Sequence, residues 1–517
     1  MLVKRIYWTA ALVAIFAIAA TALTAASPFA SGGGPSPQAT RCEAEAPGDK
    51  DEKGDKGDKD EAGDKNEKED KDEAGDKDEK GDTSEAGDKD EKGEGKDCPE
   101  QTPTPQACGT DNGQGCAPLS DRVDLGTPKF SNPLKITNPL FPISDLHSAL
   151  LLGHVDGLPF RTETTLLPGT KTIDLYGTPV KTRVSQYVAY LDGEIHEVAL
   201  DFYAQADDGA VWYLGEDVFN FEAGTVADTK GTWLAGKDGP AAMIMPANPQ
   251  VGDVYRPENA PGFVFEEVTV KSIGVTVDGP HGPVPGAILV EELHMDGSRE
   301  GKTFAPGYGE FLTGNVGGDL EALALAVPAD KLSGAVPPKL AALSSGADAI
   351  FAAAGSGDWP TASAQLSALN ADWAVYEGTG VPPMVAQDMD TALAALSSAV
   401  AARNGASAQN ASLDVARSAL DFQLRYRPVS EIDLARFELW SRQALIDTAA
   451  GDFGLVLGDV TALEWARDRF AHALDSSERG QINGALKKLR AAANAENPAA
   501  VRKAATRLHD LLADITI

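Results

Sequence analysis

The feature that most constrains this chain is a charged, low-complexity run at positions 43–97. It holds 25 acidic residues and 12 lysines, so its net charge is −13 out of −33 for all 517 residues. Apolar residues are scarce in it, and Gly, Asp, Glu and Lys recur in triplets. Such a run cannot bury enough apolar surface to offset the entropy lost on folding. We therefore predict a disordered spacer over residues 31–120, with folded modules after it.

The repeats of this run fit neither collagen nor a calcium-binding loop. Gly keeps one triplet phase, but several triplets lack it, whereas a triple helix needs Gly at every third position. The unit that begins at Asp76 resembles an EF-hand loop, but Lys80 stands where an oxygen ligand belongs and Gly87 stands where a Glu should coordinate. We predict no cofactor, and Ca²⁺ is the one alternative kept open.

The N-terminus has the layout of a bacterial export signal. Lys4 and Arg5 precede an apolar stretch at 6–26, and small residues follow at plausible cleavage sites. About 21 apolar residues are also long enough to span a bilayer. Residues 1–30 are therefore predicted to be either a cleaved signal peptide or a retained anchor, and the rest of the chain is predicted to be secreted or displayed on the cell surface.

All of the cysteines precede the first predicted strand. They are Cys42, Cys98, Cys108 and Cys116. An exported chain with an even number of cysteines favours disulfides, and four cysteines allow three pairings. Pairing Cys42 with Cys98 would enclose the charged run, and pairing Cys108 with Cys116 would close a small Gly-rich loop. Because there is no C-x-x-C pair, the spacing does not favour zinc.

Composition and motifs exclude several functions. A pI near 4.5 argues against nucleic-acid binding, which needs a basic face. Two segments that approach a phosphate-binding loop, at 231–237 and 297–303, lack either the Ser/Thr after Lys or the correct length, and no helix is predicted after them. The sequence has no G-x-S-x-G nucleophile elbow. We assign no catalytic residue and favour a non-enzymatic role.

Residues 121–318 carry the pattern of an antiparallel β module. Short runs of alternating apolar residues are separated by turn signals, such as Asp192-Gly193 and Asp207-Asp208-Gly209. Strands are predicted at 184–191, 198–204, 211–214, 264–270, 287–293 and 302–304. The pattern is typical of a sandwich or a half-barrel. A linker is predicted at 319–337.

Several segments of this module resemble a family of secreted bacterial β-domain proteins. They are Tyr203-Ala204-Gln205-Ala206-Asp207, the run from Gly209 to Glu216, Gly231 to Gly236, Met245 to Pro249, Val251-Gly252-Asp253 and Ala305 to Glu310. The resemblance covers about residues 130–315. It implies export and a β fold. The family has no established activity, so the resemblance implies no mechanism.

Carboxylates around one predicted hairpin are the candidate metal ligands. They are Asp201, Asp207, Asp208 and Glu216. Paired carboxylates can bind Ca²⁺ or perform acid–base chemistry, but the favoured interpretation is that they form turns and a solvated sheet face. His196 stands between Glu194 and Glu197, and we predict that this group lies at the surface.

Residues 338–517 are predicted to be all helical. Apolar residues recur there with a period of 3.6, which indicates seven or eight helices in antiparallel hairpins or a bundle. Asp358 and Asn497, each close to a Pro, are predicted N-caps. Ser430-Glu431-Ile432-Asp433 resembles a capping box. The fold class is therefore multidomain α+β, with an export segment, a spacer, a β module and a helical module.

The densest charge cluster of the helical module is a candidate partner site. Its arginines and aromatic residue are Arg425, Arg427, Arg436 and Trp440. Salt bridges within and between helices are the favoured interpretation of the cluster, and a partner site is the alternative.

Three functions follow from these patterns. The leading hypothesis is an exported, non-enzymatic cell-envelope protein that binds an unidentified envelope component or protein partner and contacts the membrane only through residues 1–30. The second is an extracellular metal-dependent binding protein or hydrolase that uses carboxylates of the β module. The third is a carrier of lipid or another hydrophobic ligand.

Overall fold

The computed structural model describes residues 108–315, 318–515 and 517, which all belong to one compact unit. Its first half is a single antiparallel sheet of 14 strands. The strands are β1 Ser148–Val155, β2 Leu158–Leu175, β3 Thr178–Leu191, β4 Glu194–Gln205, β5 Val211–Glu222, β6 Thr225–Asp228, β7 Trp233–Leu234, β8 Ala242–Met245, β9 Val254–Ala260, β10 Val264–Gly279, β11 Gly282–His294, β12 Arg299–Ala305, β13 Gly309–Gly314 and β14 Leu320–Val327.

Tight hairpins connect most neighbouring strands. The sheet order is β6-β5-β4-β3-β2-β1-β14-β13-β12-β11-β10-β9, and β7 and β8 also pair with β5. In the turn between β3 and β4, Asp192 and Gly193 both have positive φ, at 51° and 83°. This two-residue geometry suits the right-handed twist of the flanking strands. The hairpins predicted at Asp192-Gly193 and at 207–209 are confirmed by the β3–β4 and β4–β5 pairings.

The sheet buries both of its faces. In β1, Leu150 packs against helical residues, whereas Ala149 and Leu151 pack toward β11, β12 and β14 on the other face. Because alternate residues of a strand point to opposite faces, a strand buried on both sides reads as a continuous apolar run. The sequence SALLLGHV of β1 is such a run.

Eight helices follow the sheet within the part of the chain that the structure describes. They are α1 Pro338–Ser356, α2 Trp359–Glu377, α3 Pro383–Ala402, α4 Gly405–Gln423, α5 Val429–Ala450, α6 Phe453–Phe470, α7 Ser476–Asn494 and α8 Pro498–Leu512. Among these helices, none combines the length and the apolarity that a membrane span requires.

The helix caps agree with the sequence at two ends and differ at a third. Asp358 accepts a hydrogen bond from Thr361 N, and Asn497 accepts one from Ala500 N, as predicted. The predicted capping box at 430–433 is wrong, because Pro428 is the N-cap of α5 and no side chain caps that end. A capping box is formed instead at the start of α7, between Asp475 and Glu478.

The helices pack directly on the sheet. The linker predicted at 319–337 is wrong in its first part, because β14 lies there, pairs with β1 and β13, and joins the two halves of the sheet. Trp440 of α5 stacks on Tyr190 of β3, with ring centroids 5.3 Å apart. Ala462 of α6 packs against Val188 and Val198. The segments predicted as two modules therefore share an extensive interface.

The end of the predicted spacer also packs on the sheet. Cys108 and Cys116 form a disulfide, with Cα atoms 5.0 Å apart. Within the loop that they close, Gly109 lies against the Phe265 ring, and the carbonyl of Gly115 accepts a hydrogen bond from Arg256 Nη2 at 2.9 Å. Residues 1–107 lie outside the described part, so the export segment, most of the spacer, and Cys42 and Cys98 stay predictions.

A prediction concerns the turn where the sheet touches α6. Gly224 has φ +71°, and a Cβ built on it would lie 2.0 Å from the Gly458 backbone nitrogen. We expect Gly224→Ala to lower the free energy of unfolding by about 2–3 kcal/mol, because left-handed strain adds to a backbone clash. Gly193→Ala is the matched control, since it has similar φ and no atom within 4 Å, and it should cost about 1 kcal/mol. Equal losses in urea denaturation would contradict the proposed close approach.

Candidate functional site

Strands from opposite ends of the sheet line one interior cavity of about 100 Å³. On β4, the alternate residues Glu197, Ala199, Asp201 and Tyr203 all face it. Residues of β1–β3 and β8–β14 complete its wall, together with the segment at 141–146. Because lining residues come from β4 and from β10, the sheet curves around this space.

The interior is strongly acidic for a protein core. The carboxylates that line the cavity or interact with a residue that does are Glu197, Asp201, Glu216, Glu258, Glu266, Glu292, Glu300, Glu310 and Glu321. The cations among them are Lys302 and, when protonated, His294. Burying an ionised carboxylate without a counter-charge is very costly. The excess of acids must therefore be neutralised by protons or by another cation.

Strand register brings these acids together. Asp201 lies directly opposite Glu216 in the β4–β5 pair. Glu258 lies opposite Glu266 in the β9–β10 pair, and Glu266 lies opposite His294 in the β10–β11 pair. Directly opposed residues on one face have Cβ atoms only about 5 Å apart. The register therefore builds an acidic ladder across several strands.

His294 is the hub of the ladder on β10–β12. Its Nδ1 atom lies 3.3 Å from Glu266 Oε1, and its Nε2 atom lies 3.4 Å from Glu300 Oε1. Burial lowers the pKa of His294, but these two carboxylates and Glu292 outweigh burial and raise it well above its usual range. Ligand atoms of Glu266, Glu292 and His294 all lie within 4.8 Å of one another. This trio is the candidate metal centre.

Lys302 partly neutralises the trio. Its Nζ atom forms a close ion pair with Glu292, and burial, which lowers the pKa of Lys302, is outweighed by that partner, so the pKa is raised well above its usual range. The same pair lowers the pKa of Glu292 despite its burial. One acid of the cluster therefore stays ionised beside a fixed cation.

Burial raises the pKa of several other acids of the interior toward or above neutral pH. Burial raises the pKa of Glu197 and of Glu321 to about 8. It raises the pKa of Asp201 to about 7, although a 2.8 Å hydrogen bond from Tyr213 favours the ionised form. Burial, and next repulsion by Glu292, raise the pKa of Glu266 to about 7.

Glu216 and Glu258 meet in the interior of the sheet. Both are fully buried, and within the described chain their four carboxylate oxygens receive no hydrogen bond from any other residue, so a proton on one carboxyl group can be shared only with the other. Burial, and next repulsion by Glu258, raise the pKa of Glu216 well above its usual range. Burial, and next repulsion by Glu266, do the same for Glu258. Buried polar atoms without partners mark a place where a ligand would gain affinity.

The structure separates the four carboxylates singled out from the sequence. Asp201 and Glu216 meet inside the sheet. Asp207 and Asp208 lie in the exposed turn after β4, where Asp207 accepts hydrogen bonds of 2.8 Å from Ser131 N and Oγ, and Asp208 accepts one of 3.0 Å from Ala210 N. Two of the four carboxylates therefore stabilise the turn after β4 through hydrogen bonds, and the other two belong to the acidic interior.

The arginine and aromatic cluster of the helices contacts the protein's own sheet. Arg436 and Trp440 are directed at β2 and β3, through Glu163 and Tyr190. Buried Arg425 lies 3.5 Å from His281, in the turn between β10 and β11. Arg427 is partly exposed and pairs with Glu431 at 3.1 Å. The structure thus places three of these four residues at an intramolecular interface.

A buried ion network forms the centre of that interface. It joins Arg161 and Glu163 of β2 to Asp421 of α4, Asp433 and Arg436 of α5, and Arg469 of α6. Arg161 donates two hydrogen bonds of 2.8 Å to Asp421. Three arginines face three acids, so this network is charge-balanced, unlike the interior of the sheet.

Sequence reasoning missed most of the acidic interior. Glu197 was assigned to the surface, yet it lines the cavity. Glu258, Glu266, Glu292 and His294 drew no attention because each looks like one polar residue in an alternating strand. Glu291 and Glu292 are adjacent on β11 and therefore point to opposite faces of the sheet. Glu291 forms an ion pair with Arg299 on the outer face, whereas Glu292 is 2% exposed. The signal in the sequence that could have indicated the acidic interior was a carboxylate on the same face of several neighbouring strands.

No model of a known protein family matches this chain, and no curated protein matches it either. The resemblance over residues 130–315 therefore stays a prediction. The segments that carry it include Tyr203, Tyr308 and Glu310 of the cavity wall, and Glu216 beside it. The fold and the site together describe a protein whose curved antiparallel sheet encloses an acidic interior on one face and packs against helices on the other.

Proposed function

We propose that this chain is an exported, non-enzymatic binding protein whose sheet holds a divalent cation on buried carboxylates. The observation that carries the proposal is the buried pair of Glu216 and Glu258, whose carboxylate oxygens receive no hydrogen bond from any other residue of the described chain, next to the trio of Glu266, Glu292 and His294. Export rests on the N-terminal sequence alone.

The donor set indicates which ions fit. Carboxylates alone suit Ca²⁺ and Mg²⁺, whereas an imidazole among them favours Zn²⁺ or Mn²⁺. His294 must lose its proton before it can bind a metal, and the neutral acids must lose theirs. Cation and protons therefore compete for the same atoms, and affinity for the metal should rise with pH.

The size of the cavity favours an ion over the larger ligands considered from the sequence. Pockets for small organic ligands usually measure about 300–1,000 Å³. A volume of about 100 Å³ accommodates an ion and several waters. Lipid carriage gains no support from this acidic space, and a hydrolase would need room for its substrate beside the metal.

The proposal includes a shape for each half of the protein. The sheet would be a half-barrel rather than a sandwich, which is supported by its single strand order and by the pairing of β8 with β5 next to β9. The helices would form stacked antiparallel hairpins, which is supported by the contacts of α1 with α2, α3 with α4, α5 with α6, and α7 with α8.

Calorimetric titration with Ca²⁺, Zn²⁺ and Mn²⁺ tests the cation site. We expect Zn²⁺ or Mn²⁺ to bind at pH 8, to raise the melting temperature and to release protons, and we expect weaker binding at pH 6. Glu266→Gln should weaken binding at least about tenfold, because it removes a charged ligand while keeping the shape of the neutral acid.

Glu291→Gln is the matched control for this titration. Glu291 lies next to Glu292 on β11 but on the outer face, where it contacts Lys271 and Arg299. Its substitution should leave the affinity unchanged. The proposal fails if none of the three ions produces heat or a thermal shift, or if both variants weaken binding equally.

A further inference from the structure

A second polar cavity lies between the sheet and the helices. This cleft has a volume of about 460 Å³. Its walls are the middle of β2, part of β3, the turn after β14, the turn between α4 and α5, and the end of α6. It is distinct from the acidic interior, because none of the residues that line one lines the other.

The charge of the cleft is opposite to that of the whole chain. Its lining residues include Arg183, Lys331, Arg427 and Arg469, with His147 and His472, and no Asp or Glu. The full sequence carries a net charge of −33, so a wall without acids stands out from the rest of the surface. Two of these cations are partly neutralised by acids outside the lining: Arg427 pairs with Glu431, and Arg469 pairs with Glu163 and lies 3.8 Å from Asp433. Arg183 and Lys331 have no acidic partner among the salt bridges of the described residues.

Two buried groups of the wall lack partners within the described residues. Arg469 is 3% exposed and uses Nε on Gln186 and Nη1 on Glu163, while its Nη2 atom has no hydrogen-bond partner. Thr165 is 2% exposed, and its hydroxyl also has none. Buried donors without partners favour a bound acceptor.

The N-terminus of α5 opens into the same cleft. Pro428, Val429 and Ser430 line it, and no side chain caps this 22-residue helix. Backbone N–H groups of a helix's first turn are unpaired inside the helix, and they carry the positive end of the helix dipole. Such a terminus binds phosphate well.

We propose that this cleft binds a phosphate-bearing ligand, either a soluble phosphate ester or a phospholipid headgroup. Arg469, Arg183 and Lys331 would supply charge-assisted hydrogen bonds, and the start of α5 would supply backbone donors. The planar guanidinium groups match the paired oxygens of phosphate. The cleft's volume leaves room for the group esterified to the phosphate.

The test is a titration of the full-length protein with inorganic phosphate and with glycerol phosphate. Vesicles of phosphatidylglycerol, with phosphatidylcholine vesicles as reference, distinguish a lipid source from a soluble one. We expect millimolar or tighter binding that weakens as salt rises. Arg183→Gln/Lys331→Gln should weaken binding about tenfold or more. Lys331→Gln alone removes an exposed side chain, so it tests the site without risk to the fold.

Arg479→Gln/Lys488→Gln is the matched control, because it removes the same charge from exposed positions on α7 outside the cleft. It should leave binding unchanged. The proposal is overturned if no phosphate probe binds, if both double variants weaken binding equally, or if succinate binds as tightly as phosphate. Binding of the soluble probes without vesicle binding, or the reverse, supports the proposal and assigns the source.

Discussion

Glu163→Gln is expected to lower the free energy of unfolding by about 3–5 kcal/mol, the usual loss when one partner of a buried ion network is removed. Glu163 contacts Arg161 at 2.7 Å, lies 3.7 Å from Arg436 and pairs closely with Arg469. Burial would raise the pKa of Glu163, but the three arginines outweigh burial and hold it well below its usual range. The variant therefore leaves three buried guanidinium groups against two aspartates.

Urea denaturation monitored by circular dichroism measures this loss. Glu291→Gln makes the same chemical change at an ion pair on the outer face of the sheet, where each partner is more than a third exposed. Exposed pairs contribute about 0–1 kcal/mol, so this control should shift the transition little. If the two variants lost equal stability, the network would not be what holds the helices to the sheet.

In the absence of divalent cations, the protein should lose stability as pH rises from about 5 to 8. Glu197 and Glu321 have pKa values of about 8 in the folded state, and Asp201 and Glu266 of about 7. In the unfolded state these acids ionise near pH 4, so over this range the folded state holds more protons. Each retained proton makes the free energy of unfolding fall by about 1.4 kcal/mol per pH unit.

The substitution Glu197→Gln removes the contribution of one of these acids to the pH dependence of stability. We expect the variant to be only about 1 kcal/mol more stable than the natural protein at pH 5, and this difference to grow by roughly 2–4 kcal/mol by pH 8, because Glu197 keeps its proton in the folded state and loses it in the unfolded state. Urea titrations at pH 5, 6, 7 and 8 in EDTA give the slope. Glu222→Gln, at an exposed position on β5, should leave the slope unchanged. A natural protein whose stability rises over this range would contradict the neutral state of the acidic interior.

The sequence alone predicted one part of the candidate site, the pair of Asp201 and Glu216. The Asp-Gly and Asp-Asp-Gly turns predicted the hairpins of β3, β4 and β5, and a hairpin places Asp201 near Glu216 whatever the rest of the fold does. The partner of Glu216 could not be predicted in this way. Glu258 is 42 positions further along the chain, and the two meet only because the sheet curves until β5 and β9 approach each other.

Local irregularities also misled the sequence prediction. Alternation assigns a residue to a face only while the register is unbroken, and β-bulges shift it by one position. The β3–β4 pair is irregular between Ala189 and Tyr190, and the β4–β5 pair is irregular between Asp201 and Tyr203. Such shifts leave no mark in composition. The first irregularity falls at His196, so Ile195 packs toward α6 whereas Glu197 faces the cavity together with Ala199 and Asp201.

The sequence by itself determined that an antiparallel β segment precedes a helical one, together with two hairpins and two helix caps, because periodicity, turn residues and caps act over a few positions. Only the tertiary structure decided what the charges do. Arg436 and Trp440 looked like a site for another molecule and instead bind the sheet, and acids spread over residues 197–321 share one interior. Both outcomes depend on which faces become buried against each other, and burial is what converts scattered charges into an ion network, an acidic interior and a basic cleft.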